Sequence, residues 1–158
     1  MDVANFRRPA AFQGEDAKDT ALCHGLFNEA DRYIRSFDWC KSVRETYIGD
    51  CLGGIVAIVL FHIEPASADV DDWIWVVVGD LPPAYLAPAA AQPRQVLEDY
   101  IGQMATWVEA VRRGEPVNEL IPVNASPTRE WADALDSRLR LLRKSTLPHI
   151  GDADTAPG

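Results

Sequence analysis

His62 and Glu64 are the residue pair best suited to chemistry, standing two apart in a run that reads as a strand. Strand alternation puts both side chains on one face, near the strand's end. A histidine beside a carboxylate can act as a general base, or the two can hold a small ligand or a metal for hydrolysis. Asp69, Asp71 and Asp72 follow closely and add oxygen ligands of the kind calcium and magnesium take. The EF-hand spacing is absent, however, as is the glutamate at its twelfth position. Aspartate populates turns readily, so a solvated acidic turn explains the loop. A strand turning polar as it leaves the core explains His62 and Glu64. No metal site and no cofactor are expected.

Other candidates are thinner. Asp80 ends a predicted strand, a catalytic place in parallel sheets but not in the antiparallel one expected here, where it should bond turn amides. Cys40 precedes Lys41, which would lower a thiol's pKa, but no orienting base is evident. Cys23, Cys40 and Cys51 have neither a disulfide framework nor zinc spacing. His24 and His149 have no ligand partner nearby in sequence. Nucleophile-elbow, zincin, Walker A and dinucleotide-binding motifs are missing. Trp73 and Trp75 share a strand face and read as core. No catalytic residue is assigned.

Charge is more informative. The chain carries 15 Lys+Arg against 24 Asp+Glu, a formal net charge of -9. That field opposes binding to nucleic acid or to an anionic membrane surface and favours a basic protein partner. Between Glu64 and Asp99 seven acids, Asp80 and Glu98 among them, face Arg94 alone. Two-thirds of the negative excess falls in this stretch. A solvated face is the default for such a run, and an acidic docking surface is the sharper possibility.

The elements that must position these groups follow from periodicity. The 158 residues, 47% hydrophobic, fit one domain over 1–150, with a disordered tail over 151–158. An unpatterned arm runs to Gly14. Leu22, Leu26, Ala30, Tyr33 and Phe37 recur at helical spacing over Asp16 to Phe37, with Asp16 and Asp19 at the positive end. Gly25 inside that helix predicts close packing or local weakness. Ser42–Asp50 suits an edge strand, Ile55–Ile63 a strand covered on both faces, and Trp73–Val78 a third strand. Pro82 and Pro83 are expected to end the sheet, leaving 81–94 as an extended connection. A second helix spans Gln95–Arg113 with Gly114 at its end. A third starts at a Ser126 cap before Pro127 and runs to Lys144, with Trp131, Leu135, Leu139 and Leu142 on its apolar face.

The expected fold is thus α+β: a three-stranded antiparallel meander with an N-terminal helix and two C-terminal helices, in the order α-β-β-β-α-α. The third strand is apolar on both faces, which an edge strand should not be. Pairing with 120–123 would make a fourth strand; pairing with a second copy would make a homodimer instead of a monomer.

The stretch DVDDWIWVVVGDLPPAYL at residues 69–86, with IPVNASPT at 121–128, resembles a group of small bacterial proteins of unassigned function. That resemblance implies a bacterial cytoplasmic protein and transfers no functional residue. Met1 to Phe12 hold no apolar stretch, so no secretory signal is expected. Cys51 to Phe61 is too short to span a bilayer. The expectation is a non-enzymatic protein-binding module, such as an immunity protein or antitoxin neutralising a bacterial effector. It would face a basic partner through Glu64, Asp69, Asp71, Asp72 and Asp80. The alternatives are a ligand- or metal-binding hydrolase using His62, Glu64 and the Asp69–Asp72 loop, and a self-associating structural subunit.

Overall fold

The computed structural model describes residues 1–87 and 92–151. Helix α1 covers Ala17–Arg35 and buries Cys23, Phe27, Ala30 and Ile34. The Asp16 carboxylate caps it by accepting the Asp19 amide at 2.7 Å. Asp19 in turn accepts the Gly53 amide at 2.8 Å, tying the helix start to the first hairpin turn. Leu22, expected in the core stripe, is exposed and lies over that turn.

Four antiparallel strands follow, in the spatial order β1-β2-β3-β4: β1 Cys40–Leu52, β2 Val56–Pro65, β3 Trp73–Gly79 and β4 Leu81–Leu86. β1 is an edge strand interrupted by three register shifts. β2 and β3 are central and apolar on both faces. Ala57, Val59, Phe61, Ile74 and Val76 pack under α1, while Ile58, Leu60, Trp75 and Val77 meet the helices of the other side. Those helices are α2, Pro93–Arg112, and α3, Arg129–Leu141. The chain is therefore α+β in the expected order, with the sheet sandwiched between helical layers.

The fourth strand is not where the sequence suggests. Residues 120–123 form no strand; the partner of β3 is the proline-bearing segment Leu81–Leu86. Proline cannot donate to a ladder, but an edge strand needs only one of its two sides. Here Pro82 and Pro83 sit on the outermost strand at a register shift. The Pro82 carbonyl accepts the hydroxyl of the buried Tyr100 at 2.5 Å. With β3 flanked on both sides, it offers no free edge to a second copy. The grounds for self-association through that strand are gone.

The N-terminal arm is fastened rather than loose. Ile48 donates its amide to the Arg7 carbonyl at 2.7 Å, and Phe6 meets Trp75 edge-on. At the other terminus the Gly151 amide donates to Asp50, which burial pushes above the usual carboxylate range. The rest of the expected tail, 152–158, lies outside the described residues, as does 88–91 of the connection after β4.

α2 ends in a Schellman motif. Gly114, at φ 70°, donates to Val111, and Glu115 donates back to Ala110. α3 starts later than its proline suggests. Its cap is Thr128, whose hydroxyl accepts the Trp131 amide, and not Ser126. The expected Leu135, Leu139 and Leu142 are buried, but Ala132 joins them in place of Trp131, which is 54% exposed. The helix widens into a π turn over Leu142–Thr146.

Gly25 is exposed on α1 with open space where a Cβ would be, so close packing does not explain it. Gly25→Ala is expected to raise stability by about 0.5–1 kcal/mol in urea unfolding, since the glycine only adds backbone entropy to the unfolded chain.

Arg112 joins α2 to α3, donating to Asp133 at 2.7 Å and reaching Asp136 at 3.4 Å. Burial alone would raise the Asp136 carboxyl, but Arg140 and Arg112 outweigh it and hold the group below its ordinary 3.8. A depressed carboxylate stabilises the fold above its unfolded pKa and loses that contribution as pH falls through the folded one. The urea midpoint should therefore drop as pH falls below about 4, and Asp136→Asn should flatten part of that slope.

Candidate functional site

The sheet's two ends differ. At one, β2 finishes and β3 begins, joined by the hairpin that carries Glu64, Asp69, Asp71 and Asp72. The Ile63 amide donates to the Asp72 carbonyl at 2.8 Å, closing its base. The three aspartates are exposed and Glu64 is half-buried. Asp80 does not join them. It follows Gly79, which pairs with Val56 at the other end of the sheet, one strand length away. Its amide donates to the Ile55 carbonyl and its carboxylate faces solvent, without the expected turn bonds. Glu98 and Asp99 are exposed on α2, so the acids from 64 to 99 are split among separate surfaces.

His62 and Glu64 do share a face, that of α2 and α3, but they take different partners. His62 Nε2 lies 3.3 Å from Asp72 Oδ2, and its ring stacks on Trp73 at 4.3 Å. Glu64 accepts the Ser42 hydroxyl at 3.1 Å. Glu45 and Trp73 stand opposite His62 on its two neighbouring strands, making one row across three strands. Glu45 accepts the Tyr47 hydroxyl and pairs with Arg8, whose guanidinium lies over the Tyr47 ring at 4.5 Å. His62–Asp72 has the geometry of an acid–base dyad. Neither His62 nor Asp72 lines the grooves of about 440, 500, 230 and 220 Å³ found among the described residues. Among the described residues no group of three or more His, Cys, Asp or Glu side chains is placed to hold a metal ion.

The opposite face of the hairpin holds what periodicity alone does not reveal. The loop after α1 turns back across the end of the sheet, where the Trp39 carbonyl accepts the Ala66 amide at 2.9 Å. Phe37 stacks on Trp39 at 4.8 Å, and Tyr85 of β4 meets both rings edge-on at 5.1 Å. All three are half-buried, and Trp39, Tyr85 and Val70 of the hairpin all border the buried core beneath α1. Asp38, exposed between the two stacked rings in sequence, adds a carboxylate. The signal for this feature was Phe37-Asp38-Trp39, too short for any period.

The thiols do not contribute. Burial pushes the Cys40 thiol upward, and the charge that opposes it comes from Arg35 of α1 rather than from Lys41. Cys23 of α1 and Cys51 of β1 are buried neighbours, also pushed upward by desolvation. Neutral thiols of this kind are poor nucleophiles.

A second exposed feature lies at the far end. Leu141 is 63% exposed and lines, with the exposed Ile55 and with Arg138, a groove of about 220 Å³. Trp131 borders the adjoining groove.

Compared with protein-family models, curated proteins and solved structures, the chain finds no match. Among the described residues no helix is long and apolar enough to cross a membrane.

Proposed function

We propose that this chain is a non-enzymatic protein-binding module that engages a basic protein partner through the β2–β3 hairpin. A bacterial immunity protein or antitoxin, which blocks a cognate effector by covering it, is the functional class that fits. The observation that carries this reading is that one end of the sheet holds both the acidic β2–β3 hairpin, with Glu64, Asp69, Asp71 and Asp72, and, on the opposite face, the half-buried cluster of Phe37, Trp39 and Tyr85, tied to the hairpin by the Trp39–Ala66 backbone bond. Partly exposed aromatic rings are the side chains that most often anchor interfaces. Flanking carboxylates supply steering and reject acidic competitors. No Lys or Arg occurs from Glu45 to Pro93, so the hairpin's own segment does not neutralise its field.

Neutralising the loop tests the proposal. The chain is co-expressed with the product of each adjacent reading frame and recovered at low and at high salt. Retention of a basic product at low salt is expected, with affinity reduced at least about tenfold in the Asp69→Asn, Asp71→Asn, Asp72→Asn triple variant. Equal retention by the triple variant would remove this surface from the account.

A further inference from the structure

β1 is the outermost strand on its side, and its free edge is lined by cations. Lys41 and Arg44 are exposed residues of this strand, and a groove of about 440 Å³ between the edge and the N-terminal arm is lined by Arg8, Arg35 and Arg44. Glu45 is the one acid in that lining, and it is already engaged by Arg8 and Tyr47. Arg35 is oriented by Asp31 at 2.9 Å, while Arg44 has no ion-pair partner among the described residues. In a chain of net charge -9 this is a local reversal of sign.

The same edge already accepts backbone. The Ile48 amide donates outward to the Arg7 carbonyl at 2.7 Å, a single antiparallel bridge after which the arm turns away at Pro9. Pairing with β2 is regular from Glu45 to Ile48, so alternation turns the amide and carbonyl of Thr46 outward as well. Thr46 itself lines the cationic groove. Charged edges with bulges deter strand addition in general. A cationic edge deters neutral and basic strands and leaves acidic ones as the complement.

We propose that the β1 edge from Val43 to Thr46 accepts an acidic extended peptide as an added strand, its carboxylates held by Arg8, Arg35 and Arg44. Backbone pairing supplies the register, and the guanidinium groups supply the selection for acid. This surface is separate from the carboxylate hairpin and takes a ligand of opposite charge.

Synthetic peptides of about six residues, alternating glutamate with valine, test this by fluorescence anisotropy and hydrogen exchange at low salt. The acidic peptide should bind and slow exchange at the Thr46 amide. Replacing its glutamates by glutamine, or Arg44→Glu in the protein, should each weaken binding at least about tenfold. A peptide of the same charge broken by two prolines should not bind, because it cannot pair. Equal binding of the proline peptide would reduce the effect to charge attraction and overturn strand addition. Absence of binding by the unbroken acidic peptide would overturn the site, and so would undiminished binding to Arg44→Glu. Should that variant fail to fold, the peptide series alone decides.

Discussion

Gly79→Ala is expected to cost about 3 kcal/mol or more of stability and to leave little folded protein on expression. Gly79 ends β3 at φ 153°, a region that side chains other than glycine rarely adopt. A Cβ there would stand 2.0 Å from the Ile55 carbonyl oxygen and 2.9 Å from the Val56 Cα. Both atoms are backbone of the central hairpin, so no side chain can swing aside to make room. The close approach exists because β3 must finish against β2 and reverse at once into β4, with Asp80 alone between the two strands. Urea unfolding of the purified variant checks the loss. A midpoint within error of the parent would mean that the β3–β4 corner is not built as described.

Trp75→Ala should destabilise by about 3–5 kcal/mol, the range for emptying a large aromatic site in a core that relaxes only partly. Trp75 is completely buried at the centre of the sheet, between the Phe6 ring at 5.6 Å and the core shared with α2. Its removal should also loosen the arm, whose Phe6 then loses its ring partner. Faster proteolysis before Pro9 would report that second effect, whereas Trp73→Ala, at the half-buried end of the same strand face, should cost distinctly less.

The contrast between those two tryptophans illustrates what was legible in the sequence. Alternation put both on one face, correctly, but said nothing of how far α2 reaches along it. The helices and the two central strands were written in period and composition, because each buries a stripe long enough to leave a pattern. β4 was not. Its prolines speak against a strand in any argument based on the ladder, and only its place at the edge makes them harmless. Trp131 went astray for a related reason. Trp131 and Ala132 flank the Leu135–Leu139–Leu142 stripe on either side; size favours the tryptophan for the core, yet it is the alanine side that packs inward.

The candidate surface was legible in part. The acids of the hairpin were visible as a charge run, and they do lie on one hairpin. Asp80 was linked to them by sequence distance alone, and an antiparallel strand carries its two ends apart. The aromatic cluster was invisible because its members come from the α1–β1 loop and from β4, with Phe37 and Tyr85 standing 48 residues apart. Such a cluster is assembled by topology, which no local pattern encodes.

A hydrogen-exchange footprint of the chain, alone and with the basic product of an adjacent reading frame, tests most directly where a partner sits. Slowed exchange over Phe37–Trp39 and 66–72, weakened by salt, is the result that a docking hairpin requires. Protection confined to α3 around Trp131 and Leu141, with the hairpin unchanged, would contradict it.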